Sequence, residues 1–177
     1  LAFLMQRAWR IGFECFVDEE KLYFRKASTT KPAVTLTYVD ELLEFNQRIS
    51  LEEKVDEVEV RGWDMMAKAA IVGKATRGNL YPKIGDSKDG KSWAGAFGTG
   101  KKIIVDQPVI SQAEANVVAQ ARLNEISGAF ETADGVAVRR PDIRAGGKVK
   151  LEELGSRFSG TYMVTSATHT WSPEGFI

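Results

Sequence analysis

The spacing of hydrophobic and polar residues changes along the chain and predicts its elements in order. Residues 1–11 place apolar side chains on one face at helical spacing, and Gly12 is a natural C-terminal stop. The apolar residues of that face are Leu4, Ala8 and Ile11. Two apolar-rich runs flank an acidic turn at residues 18–20 in the next stretch, FECFVDEEKLYFRK, and this pattern predicts a β-hairpin. Residues 1–33 are therefore expected to form a helix-plus-hairpin segment.

From Val34 onward the pattern is mostly that of strands. Val58 and Val60 alternate with charged residues in VEVRGWD, which is the period of two of a half-buried strand. The charged residues expected on the outer side are Glu57, Glu59 and Arg61. We expect these glutamates to form a solvated face rather than an acid/base pair. Further strands are predicted in KAAIVGKATRG and in KIIVDQPV, the second of which is broken by Pro108.

The clearest helix signal begins at Ser111. The sequence SQAE has the form of a capping box, with Ser111 as N-cap and Glu114 three residues later. A single apolar stripe follows at helical spacing, formed by Ala115, Ala119, Leu123, Ile126 and Phe130. We expect a helix over residues 111–133 that ends at Gly135.

The C-terminal third contains short predicted strands separated by Pro and Gly turns, a pattern typical of a barrel or a sandwich. Within it, VTSATHTW alternates as a strand that places His169 on one face with Thr165 and Ala167. The predicted fold class is α+β, mainly antiparallel β, with residues 34–177 forming the β-rich part.

Composition narrows the functional classes. The 177 residues contain 24 basic and 24 acidic side chains, which argues against a surface that binds nucleic acid along the whole chain. No apolar run approaches the roughly 20 residues of a membrane-spanning helix. The chain begins without Met and stops in what looks like a strand, so we expect it to be a fragment of a longer chain. Cys15, the only cysteine, alternates with Phe13 and Val17 and is expected to be a buried structural thiol.

One stretch partly matches a phosphate-binding loop. Gly95, Gly100 and Lys101 in WAGAFGTGKK fit the G-x-x-x-x-G-K frame, but Lys102 stands where a Ser or Thr should bind magnesium. The frame also requires a preceding buried strand and a following helix, whereas here a polar loop precedes it and a predicted strand follows. We therefore expect no bound nucleotide or other cofactor. The loop at residues 79–100 is long enough to be functional or an interface.

Other catalytic and metal-binding patterns are weak. His169 is the only histidine, and no nucleophile motif accompanies it, so we expect a hydrogen-bonded structural residue. A glycosidase needs two suitably spaced acids, and the candidates are Asp18, Glu19, Glu52, Glu53, Asp56 and Asp64. A calcium loop in GDSKDG fails because Gly85 and Ala96 would occupy positions that require carboxylates. We expect no catalytic residue and no metal site.

Four motifs occurring in order resemble the phage late control D / VgrG family. They are VEVRGWD (58–64), DQPVISQAEANVVAQARL (106–123), RPDIRAGGKVKL (140–151) and RFSGTYMVTSATHTW (157–171). The opening FLMQRAWRIGFECFVDEEKLYFRK also resembles the family's helix-plus-hairpin insertion. Proteins of this family are baseplate hub and spike proteins of contractile phage tails, type VI secretion systems and extracellular injection particles.

The resemblance implies a structural role for a β-barrel hub domain. It implies a homotrimer that links the inner tube to the piercing spike, with inner-tube, baseplate, spike-tip or effector proteins as partners. It implies neither nucleic-acid binding nor stable membrane insertion, and it implies assembly in the bacterial cytoplasm into a virion or a secreted particle. A cell-wall glycosidase domain carried on a tail assembly is the alternative.

The resemblance also assigns local roles to several residues. It places Arg61, Gly62 and Trp63 at a strand end and turn, Pro141 and Gly146 in tight turns, and Gly160 with Tyr162 at the start of the final strand pair. The pair Arg139 and Arg140 departs from the family, because relatives often carry a Gly-containing turn before the proline.

Overall fold

The N-terminal residues form a helix followed by a hairpin, as the sequence predicts. The computed structural model describes residues 2–18, 20–26, 34–50, 55–76, 100–129, 131–172 and 175–176. Helix α1 (Ala2–Arg10) is followed by Gly12, whose φ of 70° is the left-handed conformation that suits glycine after a helix. Strand β1 (Phe13–Asp18) then pairs antiparallel with β2 (Lys21–Lys26). Cys15 is buried on β1, as predicted.

The remaining described elements follow in chain order. They are β3 (Val34–Thr37), β4 (Leu42–Ile49), β5 (Glu57–Asp64), β6 (Ala69–Ala75), β7 (Lys101–Ile104), α2 (Gln112–Ala129), β8 (Glu131–Ala137), β9 (Lys148–Glu152), β10 (Gly160–Met163), β11 (Trp171–Ser172) and β12 (Gly175–Phe176). Most strand pairs are antiparallel, and the α+β class is confirmed. The elements belong to two compact units that interleave along the chain. The expected division into residues 1–33 and 34–177 stays a prediction.

The first unit contains α1, the β1–β2 hairpin, α2 and a three-stranded sheet in the order β6-β5-β7. Strand β5 runs antiparallel to β6 and parallel to β7. One face of the sheet packs against α2, and the buried core lies between them. Its residues are Val58, Val60, Ile71, Ala75, Ile104, Val109, Ala115, Val118, Ala119 and Leu123. Gly62 lies within β5, paired with Ile71, rather than in a turn as the family resemblance implied.

Helix α2 begins where the capping pattern predicts. The Ser111 hydroxyl accepts the Glu114 backbone N–H at 3.2 Å, as an N-cap should. The Glu114 carboxylate accepts the backbone N–H of Ile110 at 3.0 Å. Of the predicted stripe, the first three residues are buried and Ile126 packs at the edge of the core, while Phe130 lies outside the described residues.

The predicted end of that helix was wrong. The helix stops at Ala129, and Gly135 lies inside strand β8, where it pairs with Phe45 of β4. A Cβ at Gly135 would approach the Glu44 carbonyl oxygen to 3.1 Å. Close packing against the neighbouring strand therefore explains this glycine, because a side chain there would crowd β4.

A close approach of backbone to backbone joins α2 to its sheet. A Cβ on Gly73 of β6 would lie 2.2 Å from the carbonyl carbon of Ala115 and 2.6 Å from the nitrogen of Asn116. Only glycine leaves room for the first turn of the helix at this distance. In addition, the Gln112 side chain donates to the Val72 carbonyl at 2.7 Å, which ties the same turn to β6.

The second unit contains a mixed sheet in the order β10-β9-β3, the β4–β8 pair and the short β11–β12 pair. Strands β3 and β9 are parallel, with Val34 opposite Val149. A smaller core lies beside this sheet and is formed by Val34, Leu36, Leu42, Val149 and Leu151. No closed barrel occurs among the described strands, so the barrel stays a prediction.

The predicted turns of the second unit were confirmed, whereas two strand predictions were wrong. Turns occur at Pro141 and at Gly146, which has φ 79°. Strand β10 begins at Gly160 but pairs with β9, and the last described strand pair is β11–β12. In addition, residues 165–170 have no regular secondary structure, so His169 does not lie on a strand. Arg139 adopts φ 61°, the left-handed conformation for which the family's glycine is suited.

Candidate assembly surface

The face of the β6-β5-β7 sheet opposite α2 carries the charged residues of VEVRGWD. Strand alternation places Glu57, Glu59, Arg61 and Trp63 on this side, since Val58 and Val60 enter the core. The direction of these side chains was predicted correctly, whereas the predicted solvated state was wrong for Glu59, which is buried. Only 4 % of the Glu59 side chain is exposed, because cationic side chains cover it.

Three cations surround the Glu59 carboxylate. The closest contacts are from Arg61 Nε at 2.6 Å and Lys101 Nζ at 2.6 Å, and Lys74 Nζ follows at 3.5 Å. The hydrogen bonds from Lys101 and then Arg61 lower the pKa of Glu59 to about 2. Lys101 also contacts Glu57 at 3.0 Å, and its carboxylate bonds raise the pKa of the ammonium group. The cluster is therefore ionised and held together by charge-assisted hydrogen bonds.

Of the partial phosphate-loop match, the structure describes Gly100 and Lys101, and both have contacts that explain them without a bound phosphate. Lys101, the residue that would neutralise phosphate, is bonded to two carboxylates on β5. Gly100 is bonded to Asp56 at both of its backbone polar groups, and the chain continues into a strand. Gly95 and the rest of the loop at 79–99 lie outside the described residues, as does the calcium-like stretch.

An exposed apolar tip lies at one end of this sheet face. Trp63 is 59 % exposed and Met66 is 94 % exposed at the turn between β5 and β6. The turn has a defined shape, because the Asp64 carboxylate accepts the backbone N–H groups of Met66 and Ala67, each at 2.9 Å. Ordered apolar side chains of this kind are suited to a protein–protein contact.

Helix α1 presents a second apolar surface. Ala8 is completely buried, whereas Phe3 and Trp9 are largely exposed. The helix is fastened by Arg10, whose guanidinium contacts the Glu114 carboxylate at 2.8 Å and donates to the Pro108 carbonyl. No sequence pattern predicted this contact, because the partners are far apart along the chain.

The remaining candidate residues have local structural contacts. His169 Nε2 donates to the Ile143 carbonyl at 2.9 Å, which confirms a hydrogen-bonded role. Arg140 pairs with Glu41 and with Asp142, both at 3.0 Å. Of the six acids considered for a glycosidase, Glu19, Glu52 and Glu53 lie outside the described residues, as does the side chain of Asp18. Asp56 and Asp64 accept backbone N–H groups.

Neither a metal site nor a membrane span is found in the described part of the chain. No group of three or more His, Cys, Asp or Glu side chains there is arranged to hold a metal ion. None of its helices has both the length and the apolar character needed to cross a membrane.

Comparisons with known proteins identify both a family and a fold. The family model described as Alg8 N-terminal domain matches residues 2–172. The 43 kDa tail protein of prophage MuSo2 from Shewanella oneidensis matches with a TM-score of 0.63 and 18 % identity, over 99 % of this chain and 50 % of its own. A tail protein from Neisseria meningitidis MC58 matches with a TM-score of 0.55 and 12 % identity, over 88 % of this chain and 44 % of its own.

The two structural matches show which fold the chain has. The chain has the fold of part of two phage tail proteins and spans about half the length of each. No match is found among curated proteins.

Proposed function

The chain belongs to the Alg8 N-terminal domain family, and we propose that it is a structural component of a phage tail or of a related contractile injection system. The observation that carries this proposal is the fold shared with two tail proteins from different bacteria, one of them over nearly the whole chain. The proposed location is accordingly a virion or an injection particle.

The finer proposal is a baseplate hub or spike component of the late control D / VgrG type. This finer proposal is supported by the order of the four sequence motifs. The matching family model, described as Alg8 N-terminal domain, does not itself name this type. In this role the chain forms a homotrimer whose strands complete a barrel and which contacts inner-tube, baseplate and spike-tip or effector proteins. Open strand edges favour such pairing, and among the described strands β4 and β8 pair only with each other.

The proposed role requires no reaction. The charged cluster around Glu59 is internally paired, and the described acids of the glycosidase alternative bond to backbone groups. A peptidoglycan turbidity assay tests this point directly. Lysis by the purified protein that is lost on replacing Asp56 or Asp64 would contradict a purely structural role.

The mass in solution tests the hub proposal. Light scattering on the full-length protein is expected to give a trimer, and a stable monomer would contradict the hub assignment.

The apolar tip between β5 and β6 provides a variant that locates the contact between copies. Met66→Asp places a charge at a position outside the core, so the fold is expected to remain while the trimer weakens. Val105→Asp, at another exposed apolar position, is the matched control. A trimer unaffected by Met66→Asp would exclude this tip from the interface.

A further inference from the structure

The hydroxyl of Tyr162 faces two oxygen atoms. It lies 2.8 Å from the Phe158 carbonyl oxygen and 3.2 Å from Oε1 of Glu131. A phenol has only one proton to donate, and both neighbours are acceptors when Glu131 is ionised. One of the two contacts therefore lacks a proton unless Glu131 supplies it.

The shorter contact decides where the phenolic proton lies. A backbone carbonyl can only accept, and 2.8 Å is the usual length of an O–H···O hydrogen bond. The Tyr162 hydroxyl is accordingly assigned as the donor to the Phe158 carbonyl oxygen. The phenolic oxygen then turns a lone pair toward Glu131, and a protonated Glu131 carboxyl would donate to it.

The surroundings of Glu131 favour its neutral form. Burial raises the pKa of Glu131, and burial followed by the neighbouring Glu131 also raises the pKa of Tyr162, so the phenol keeps its proton. The cross-strand partner of Glu131 is the uncharged Ile49. A hydrogen bond donated by the Tyr162 hydroxyl and then the charge of Arg157 act in the opposite direction and lower this pKa. The first of these is absent when the hydroxyl donates to the Phe158 carbonyl instead.

The neighbouring charge on β4 is directed elsewhere. Arg48 is opposite Thr132, and strand alternation places this pair on the other face of the ribbon from Glu131. On the Glu131 face the next pair is Gln47 with Ala133, neither of which titrates. No described residue of β4 therefore places a charge beside the carboxyl.

We propose that Glu131 is a proton-binding site of the native chain, where the protonated carboxyl donates to Tyr162 and clamps the start of β8 to the turn before β10. The Tyr162 ring packs edge-on against Phe45 with ring centroids 5.8 Å apart, so the hydroxyl is held in position from the core side. Ionisation of Glu131 removes the donor and leaves two oxygens facing each other. The clamp does not depend on the assembly role proposed above.

The sign of the pH effect follows from the raised pKa. A carboxyl that binds its proton more tightly in the folded than in the unfolded chain stabilises the fold fully below its ordinary pKa of 4.5. This stabilisation is lost as the pH rises through the higher pKa of the folded state. The clamp is therefore closed in acid and open above that range.

The experiment is an NMR titration of the Glu131 carboxyl carbon in the wild type and in Tyr162→Phe. The expected midpoint lies above 4.5 in the wild type and falls in Tyr162→Phe, because the variant removes the acceptor of the carboxyl proton. A hydroxyl that instead donated to Glu131 would hold the midpoint down, and its removal would raise it. A midpoint that rises or does not move in Tyr162→Phe, or a wild-type midpoint at or below 4.5, would overturn the proposal. Tyr23→Phe in the β1–β2 hairpin is the control and should leave the Glu131 midpoint unchanged.

A second variant keeps the test independent of the folding of Tyr162→Phe. Glu131→Gln carries a permanent N–H donor toward the Tyr162 oxygen and cannot ionise. Amide exchange in β8, corrected for the intrinsic pH dependence, is expected to speed up with rising pH in the wild type but not in this variant. The same pH dependence in both proteins would exclude the clamp.

Discussion

The two units of the chain are stabilised in different ways. In the first, a long helix lies directly on a three-stranded sheet, and ten buried apolar residues form the core. In the second, the core has five buried residues, and the described strands are joined by tight turns. Five of the seven described residues with positive φ lie in that second unit, namely Val39, Arg139, Gly146, Glu153 and Gly155. The stability of the first unit therefore depends mainly on packing between the helix and the sheet. The stability of the second unit depends more on the backbone conformation of its turns.

The largest effect on stability is expected from Gly73→Ala, which disrupts the packing of α2 on the β6-β5-β7 sheet. The added Cβ would overlap backbone atoms of Ala115, so α2 would have to move. We expect a loss of more than about 3 kcal/mol in the free energy of unfolding, measured by urea denaturation.

Gly62→Ala on the neighbouring strand is the control for that prediction. Its Cβ would meet a methyl group of Val109 at 2.5 Å and the Val109 carbonyl oxygen at 3.0 Å, which is less severe than the overlap with the backbone of α2 at Gly73. The expected loss is about 1 kcal/mol. Equal losses at the two positions would mean that the helix is not held at its short distance by Gly73.

The second prediction compares the two cores through a matched pair of leucines. Leu123→Ala in α2 and Leu151→Ala in β9 each remove a buried side chain. We expect losses of about 3 and about 2 kcal/mol respectively, because the smaller core has fewer neighbours around the cavity. Amide exchange read separately in each unit measures both effects. A larger loss for Leu151→Ala would contradict the comparison.

A smaller effect is expected from Gly155→Ala in the second unit. No atom outside the adjacent residues lies within 4 Å of the added Cβ, but φ is 81°, so the loss should be about 1 kcal/mol from backbone strain alone.

The reverse change, Arg139→Gly, relieves such strain and should stabilise by about 0.5 kcal/mol after the entropy of glycine is included. Thermal unfolding measures both, and a destabilised Arg139→Gly would show that its side chain contributes more than its conformation costs.

The smallest effect at neutral pH concerns Glu59, since its cationic partners are about half exposed and screened by solvent. The pKa of Glu59 is lowered in the fold from 4.5 to about 2. Its contribution to stability is therefore present above pH 4.5 and is lost as the pH falls toward 2. Glu59→Gln should remove this part of the acid dependence, whereas Glu44→Gln, exposed on β4, should retain it. An unchanged acid profile in Glu59→Gln would contradict the prediction.

Local signals in the sequence predicted the elements whose causes are local. Helix α1 with its glycine stop, the first hairpin and the Ser111 cap each depend on residues within a few positions of one another. The strand alternation of VEVRGWD likewise predicted which side chains enter the core. These features could be predicted because propensity, capping and periodicity agree at each of them.

Long-range contacts explain what the sequence did not reveal. The burial of Glu59 requires Lys101 on the parallel strand β7, and the contact of Arg10 with Glu114 requires α1 to lie near the start of α2. The predicted helix end at Gly135 failed because pairing with β4 begins at Glu131. The Tyr162–Glu131 contact was also missed, since neither residue has a distinctive sequence context.

The parallel pairing of β3 with β9 has a consequence for the order of folding. Val34 leaves the ribosome well before its partner Val149, because the two residues are far apart along the chain. Local elements such as the first hairpin can form quickly, whereas this sheet must wait for a long loop to close. We therefore expect the first unit to fold during synthesis, while β3 remains available to wrong partners until β9 arrives.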